Sequence, residues 1–149
     1  MKQLTSSGVE IAYLDEGKGP AVVVGHCSTA SHKEWLPLIE ALKADWRVLA
    51  PDFIGYGSSA PWPADEPFKA DADLDVFIAV AKKSRGPLHL VGHSYGAALA
   101  LEAARRLGNK PGGESHPCRT RLVSSPAPRE KARMGRDRAA RQGCAWRRG

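Results

Sequence analysis

The sequence predicts an α/β fold in which helices cover both faces of a mostly parallel β-sheet, giving three layers. Three short apolar runs have the length and composition of strands buried on both faces: Ala21–Val24, Arg47–Ala50 and Leu88–Val91. A segment of helical length and patterning follows each run: Lys33–Ala44, Asp71–Ser84 and Tyr95–Leu107. Strand and helix therefore alternate at short spacing, as they do in βαβ units.

The remaining segments are predicted to form an earlier strand, a turn and a long loop. Val9–Leu14 alternates apolar and polar residues with a period near two, which predicts a strand with one buried face. Asp15–Pro20 predicts a turn, and Phe53–Pro67, with two glycines and three prolines, predicts a long loop. In Asp71–Ser84 the acidic residues come first and the lysines last, an order that suits the helix dipole.

Polar residues follow each of the three buried runs directly. His26, Cys27 and Ser28 follow the first, Asp52 follows the second, and Ser94 follows the third. Functional groups of open α/β sheets lie at the carboxyl ends of the strands. We therefore expect the chemistry of this protein at that edge of the sheet.

The pattern G-x-S-x-G occurs at Gly92–Gly96, between a predicted buried strand and a predicted helix. A strand that turns sharply into a helix forces its middle residue into a strained conformation, and flanking glycines let the backbones approach. The hydroxyl of Ser94 would then project above the sheet, and the helix N-terminus behind it would offer free N–H groups to an oxyanion. The alternative interpretation is a glycine-flanked turn without chemistry.

Three motifs in order, Val22–Ser28, Asp52–Ser59 and Gly92–Gly96, resemble the N-terminal half of an α/β-hydrolase-fold protein with a serine nucleophile. The resemblance covers roughly residues 8 to 109, so the predicted fold is an α/β-hydrolase sheet truncated after the helix that follows the nucleophile elbow. It implies Ser94 as the catalytic nucleophile, with Gly92 and Gly96 as the elbow glycines. It also implies the backbone N–H groups of Ser28 and Tyr95 as the oxyanion hole.

Other residues in these motifs have structural interpretations. Cys27 stands where the family usually has glycine, and we interpret it as a small buried side chain, with a reactive thiol as the alternative. His26 is expected to be structural, and His93 is expected to pack beside the nucleophile. Asp52 is expected to accept local backbone hydrogen bonds, and Gly55 and Gly57 to form tight turns after the strand.

The catalytic acid and base cannot be assigned from the sequence. A serine hydroxyl needs a histidine to take its proton and an acid to orient that histidine, and in this fold both follow the serine along the chain. His116 is the only histidine after Ser94, and no predicted strand precedes it. No predicted strand precedes the acidic residues of this region either: Glu114, Glu130 and Asp137.

The last 40 residues differ from the rest of the chain. Up to Asn109 there are 11 Lys and Arg against 13 Asp and Glu, whereas from Lys110 onward there are 11 against 3, so the tail carries the net charge of +6. We predict two regions, residues 1–109 as the hydrolase half-domain and residues 110–149 as a basic tail. The tail is expected to be disordered or translated out of frame, to leave the Leu88–Val91 strand with an open edge, and to make the isolated protein prone to aggregation. A nucleic-acid-binding arm is disfavoured, because Trp146 is its one aromatic residue.

Composition excludes several further classes. Cys27, Cys118 and Cys144 form neither a disulfide framework nor a C-x-x-C zinc motif, and no signal peptide or membrane-spanning run is present. We expect a cytoplasmic protein with no cofactor and no metal, which binds a small-molecule acyl substrate and neither nucleic acid nor a membrane. Two functional hypotheses remain: a hydrolase of carboxylic esters or related acyl bonds, or an inactive remnant or binding protein that lacks the triad acid and histidine.

Overall fold

The computed structural model of the protein describes residues 1–108 and the backbone of residues 118–123. The strands are β1 (Lys2–Ser6), β2 (Val9–Glu16), β3 (Ala21–Gly25), β4 (Arg47–Pro51), β5 (Leu88–His93) and β6 (Cys118–Val123). The helices are a short 3₁₀ helix (His32–Trp35), α1 (Leu36–Leu42), α2 (Ala70–Ala81) and α3 (Tyr95–Gly108).

These strands form one mixed sheet in the order β1-β2-β4-β3-β5-β6. The first three strands of that order pair antiparallel, and β4, β3, β5 and β6 pair parallel, so the predicted mostly parallel sheet is confirmed. Gly25 at the end of β3 pairs with Gly92 near the end of β5. The segments that leave these two strands therefore begin side by side at one edge of the sheet.

The sheet buries apolar side chains on both of its faces, as a three-layer α/β fold requires. On one face, Val23, Leu49 and Leu90 belong to a large cluster with residues of α2 and α3. On the other face, Val22, Val24 and Val48 belong to a smaller cluster with Trp35 and Ile39, from the 3₁₀ helix and α1. Alternate residues of one strand thus face different helical layers.

The helix predicted over Lys33–Ala44 is divided into two pieces. The 3₁₀ helix ends where the N–H of Leu36 donates to the carbonyl of Lys33, and α1 begins at Leu36 with Pro37 in its first turn. Proline has no N–H and is tolerated only in the first turn of a helix. Pro37 therefore explains why one continuous α-helix does not form here.

Strand β5 differs from its predicted burial on both faces. Leu88, Leu90 and Gly92 are buried, but His89, Val91 and His93 are only half-buried. The ring of His89 packs edge-on against Trp46, with ring centroids 5.1 Å apart. Burial therefore alternates with a period of two along β5, whereas the composition of Leu88–Val91 had predicted burial on both faces.

Two strands were not predicted. The edge strand β1 pairs with β2, and β6 pairs with β5 from Leu88–Cys118 to His93–Val123. The expected open edge of β5 is therefore wrong, because ladder hydrogen bonds join backbone groups and do not require an apolar run. The predicted disorder of residues 110–149 is wrong for Cys118–Val123, which forms β6, and the other residues of that range lie outside the described residues. No described helix is long and apolar enough to cross a membrane.

The carboxylate of Asp15 on β2 connects this strand with β1 and β4. It accepts two hydrogen bonds of 2.8 Å from the guanidinium of Arg47 and one of 2.6 Å from Lys2. Arg47 also donates to the carbonyl of Lys83, just after α2. The Asp15 side chain is only 4% exposed, and these donors, Arg47 first, lower its pKa to about 2.

We predict that Asp15→Asn lowers the free energy of unfolding by about 1–2 kcal/mol at neutral pH. A depressed carboxyl pKa adds stability above the unfolded-state pKa of about 4, and that stability is lost as the pH falls toward about 2. The difference between variant and wild type in urea unfolding should therefore shrink over that range. Glu40→Gln, which breaks an exposed ion pair with Lys43, is the control and should leave stability unchanged.

Candidate active site

Ser94 occupies a sharp turn between β5 and α3. Strand β5 ends at His93 and α3 begins at Tyr95, so Ser94 alone connects them. Its φ of +51° lies in the left-handed region, which serine rarely adopts, and its side chain is exposed. The predicted strained residue at a strand-to-helix turn is thus confirmed for the segment Gly92–Gly96, hereafter the elbow.

The two elbow glycines are required by close backbone contacts. A Cβ on Gly92 would lie 2.2 Å from the carbonyl oxygen of Gly96, across the turn. A Cβ on Gly96 would lie 2.2 Å from the carbonyl oxygen of Gly25 and 2.6 Å from that of His26. The start of α3 therefore rests directly on the end of β3, at distances that exclude any side chain.

The N-terminus of α3 presents backbone donors beside Ser94. The N–H groups of Ala97 and Ala98 bond the Ser94 carbonyl at 3.0 and 3.2 Å. The N–H of Tyr95, at the first position of the helix, has no intrahelical acceptor. Such a group, together with the positive end of the helix dipole, stabilises an oxyanion near the serine hydroxyl.

The segment His26–Ser28, hereafter the oxyanion loop, leaves β3 next to the elbow. Its turn is closed by the N–H of Ala30, which bonds the Cys27 carbonyl at 3.2 Å. The N–H of Ser28 donates to none of the described residues, and its side chain is exposed. The assignment of the Ser28 N–H as the second oxyanion donor stays a prediction.

The ring of His26 is completely buried and has a defined tautomer. Its Nδ1 donates to the Cys27 carbonyl at 2.7 Å, and its Nε2 accepts from the N–H of Phe53 at 3.1 Å. Burial lowers the pKa of His26, so the ring is neutral. Because both ring nitrogens are used in holding the loop, His26 has the structural position that was predicted.

Cys27 and the elbow are joined through Glu34, a residue that the sequence did not single out. One Glu34 carboxylate oxygen accepts from the N–H of Cys27 at 2.9 Å, and the other contacts Nδ1 of His93. Its carboxylate therefore bridges the oxyanion loop and the residue before Ser94. The thiol of Cys27 is half-exposed and lies 3.8 Å from the Thr29 hydroxyl, so the expected buried position of Cys27 is wrong.

Asp52 is fully buried and accepts hydrogen bonds from the backbone, as predicted. It accepts from the N–H of His32 at 2.6 Å, from that of Ser58 at 2.8 Å, and from Nδ1 of His32. A Cβ on Gly57 would overlap its carboxylate. Gly55 and Gly57 have φ of +80° and +55°, which confirms their role in tight turns. The contact between His32 and Asp52 was not predicted from the sequence.

A second buried carboxylate, Asp73 of α2, holds the start of α3. It accepts from the Tyr95 hydroxyl at 2.8 Å and from the N–H of Ile54 at 2.9 Å. Burial raises the pKa of Asp73, and burial together with the hydrogen bond to Asp73 raises that of Tyr95. Tyr95 is therefore held by its backbone in α3 and by its hydroxyl on Asp73. Its N–H directly follows Ser94.

The arrangement of β3, oxyanion loop, β5, elbow and α3 is matched by a family of known proteins. The model of the Alpha/beta hydrolase family matches residues 21–148. The chain belongs to the alpha/beta hydrolase family. The resemblance inferred from the three motifs is thereby confirmed.

Relatives within the alpha/beta hydrolase family are hydrolases of several kinds. The chain is 34% identical over 105 residues to an epoxide hydrolase of Caballeronia sordidicola, covering 68% of this chain and 31% of that protein. It is 31% identical over 105 residues to the pyrrolizixenacetamide deacetylase of Xenorhabdus hominickii, covering 70% and 39%. An alpha/beta hydrolase structure from Sphaerobacter thermophilus superposes with a TM-score of 0.66 at 25% identity, covering 93% and 55%. The chain spans about a third of the length of these two curated relatives.

The described part of the chain contains two acid–histidine contacts, Glu34–His93 and Asp52–His32. Neither has the chain order in which the acid and the histidine follow the serine. The candidates weighed after Ser94, His116 and the acids Glu114, Glu130 and Asp137, lie outside the described residues. The described residues form two concavities, of about 560 and 260 Å³, and Ser94 lines neither of them.

We predict that Gly96→Ala destabilises the protein by about 1–3 kcal/mol, because the new methyl group would overlap two backbone carbonyls. Gly108→Ala is the matched control in the same helix, since a Cβ there meets nothing within 4 Å. It should be neutral or slightly stabilising. Equal midpoints for the two variants in urea unfolding would contradict the close contact between α3 and β3.

We further predict that His26 makes stability fall on acidification. Because its folded pKa lies below the unfolded value of about 6.5, the unfolded chain binds an extra proton once the pH drops below that value. His26→Gln should be less stable at neutral pH but show a flatter decline below about pH 6.5. Parallel profiles of unfolding free energy against pH would show that His26 is not buried as the neutral form.

Proposed function

We propose that this protein contributes the serine nucleophile and the oxyanion hole of an acyl hydrolase. The observation that carries the proposal is the position of Ser94, exposed at φ +51° between β5 and the N-terminus of α3. An exposed hydroxyl beside free backbone N–H groups is the arrangement that acyl transfer uses. A cytoplasmic setting suits the free thiol of Cys27.

The nucleophile itself favours acyl substrates over the others that relatives act on. Attack of a serine hydroxyl on an acyl carbon leaves an ester, which water hydrolyses in a second step. Attack of the same hydroxyl on an epoxide carbon would leave an ether, which water does not cleave under mild conditions. Hydrolysis of a carboxylic ester or related acyl bond is therefore the activity we propose.

In the proposed mechanism, the Ser94 oxygen attacks the carbonyl carbon of an ester, the bond to the alcohol oxygen breaks, and the alcohol leaves with the hydroxyl proton. Water then hydrolyses the acyl-enzyme to the free acid and restores the Ser94 hydroxyl. The N–H groups of Ser28 and Tyr95 bond the oxyanion of the tetrahedral intermediate. Asp73 supports this by holding Tyr95, and Glu34 and His26 support it by holding the oxyanion loop. A removed oxyanion donor typically costs about 10²–10³ in rate.

The second candidate function is a non-catalytic one. No histidine follows Ser94 among the described residues, and a serine without its base retains only about 10³–10⁴-fold catalysis over water. A remnant that binds its former substrate, or another ligand, would have this residue set.

The decisive experiment measures acylation of Ser94 directly. Protein is incubated with p-nitrophenyl acetate, and acetylated serines are located by peptide mass spectrometry. Ser7 is an internal control, because it is exposed with φ +49° but lies in the β1–β2 turn and is not followed by a helix. We expect Ser94 to be acetylated at least tenfold faster than Ser7, since about 1.4 kcal/mol of oxyanion stabilisation gives that ratio.

The same experiment distinguishes the two functions. Acetylation that is no faster at Ser94 than at Ser7 would contradict the nucleophile assignment. For a chain that supplies only the nucleophile and the oxyanion hole, we expect fast acetylation of Ser94 followed by slow release of acetate. The variant Ser94→Ala should lose this acetylation. Turnover above about 1 s⁻¹ in the intact chain would refute the remnant hypothesis, and His116→Ala would then test the one histidine that follows Ser94.

A further inference from the structure

We propose that Cys27, Glu34 and His93 form a binding site for a thiophilic divalent cation such as Zn²⁺, next to the elbow. The Cys27 sulfur, a carboxylate oxygen of Glu34 and a ring nitrogen of His93 all lie within 4.8 Å of one another. They come from the oxyanion loop, the 3₁₀ helix and the end of β5. The spacing of cysteines along the chain therefore gave no sign of such a site.

The distances suit a small metal ion after a modest closure. Zinc bonds of about 2.0–2.3 Å in a tetrahedral arrangement place ligand atoms about 3.3–3.8 Å apart. The separations between the three donor atoms need to shrink by at most about 1–1.5 Å to reach this value. Side-chain rotation of Cys27 and Glu34 can supply that movement, because both side chains are partly exposed.

The backbone frame around the three donors is rigid. β3 and β5 are paired from Ala21–Leu88 to Gly25–Gly92, which fixes the segments that carry Cys27 and His93. Glu34 is already oriented toward both, through the Cys27 N–H and the His93 ring. A preoriented carboxylate and a preoriented imidazole reduce the conformational cost of binding.

The chemistry of the donors selects the cation. A thiolate with an imidazole and one carboxylate suits Zn²⁺ or Co²⁺, whereas Mg²⁺ and Ca²⁺ prefer sites made of oxygen atoms. All three side chains are partly exposed, with 29% for that of His93 and 20% for that of Glu34, so an ion can enter from solvent. Three protein ligands would leave a fourth position for water or a substrate oxygen.

The location gives the site a consequence for the proposed chemistry. Cys27 precedes Ser28 and His93 precedes Ser94, so a bound cation would fasten the oxyanion loop to the elbow through side chains. On binding, the Cys27 thiol releases its proton to solvent and the ring nitrogen of His93 supplies its lone pair. The binding claim does not depend on the activity of Ser94.

The test titrates untagged, reduced protein with Co²⁺ alone and records its absorption spectrum. We expect one Co²⁺ per chain, a thiolate-to-cobalt charge-transfer band in the near ultraviolet, and intense visible bands of a tetrahedral ion. Zn²⁺ should displace the Co²⁺, whereas a large excess of Mg²⁺ should not. A spectrum without a charge-transfer band would overturn the proposal.

Variants assign the ligands. Cys27→Ser should abolish the charge-transfer band, and Glu34→Gln and His93→Gln should each weaken Co²⁺ binding at least tenfold. The matched control Cys118→Ser/Cys144→Ser removes the other two thiols and should bind like the wild type. A band that survives Cys27→Ser, or is lost in the double variant, would place the thiolate elsewhere and refute the site.

Folding of each variant is checked by circular dichroism without metal, and Cys27→Ala replaces Cys27→Ser should the latter not fold. X-ray absorption of the zinc complex gives a second, independent measurement. One sulfur and two or three nitrogen or oxygen neighbours would support the site. A shell without sulfur, or with two sulfurs, would contradict it.

Discussion

The contact between the start of α3 and the end of β3 is the constraint on which the rest of the site depends. Gly25, Gly92 and Gly96 bring three backbone segments so close that no Cβ fits at the two elbow positions. This contact fixes the height of α3 above the sheet and therefore the position of its free N–H groups. A looser contact would move the Tyr95 N–H away from Ser94, and electrostatic stabilisation falls steeply with such displacement.

Around this contact, buried polar side chains replace the hydrogen bonds that loop backbones would otherwise make with water. His26 satisfies the N–H of Phe53, Asp52 those of His32 and Ser58, and Asp73 that of Ile54. Each of these side chains is fully or almost fully buried, and an unmade bond there costs about 1–3 kcal/mol. The loops at the carboxyl edge are thus ordered by three polar residues that act by positioning other groups and are not assigned to the reacting atoms of the proposed chemistry.

The sequence was sufficient for features that depend on local steric requirements. The elbow could be predicted because Gly92, Ser94 and Gly96 lie within five residues and their order reflects one tight turn. Glu34 and Asp73 could not, because their partners His93 and Tyr95 lie 59 and 22 residues away. In sequence, both acids look like ordinary polar positions of amphipathic helices. Strand β6 was missed because its pairing depends on the backbone edge of β5 and not on its own composition.

The positive φ of Ser94 sets folding and chemistry against each other at a single position. Glycine adopts this conformation without strain, whereas serine incurs a cost of about 1 kcal/mol or more. The AGT and AGC codons of serine differ from glycine codons by one base. One common mutation would therefore relax the fold while removing the hydroxyl. A gain in stability and the loss of the hydroxyl group would therefore come from the same substitution at this position.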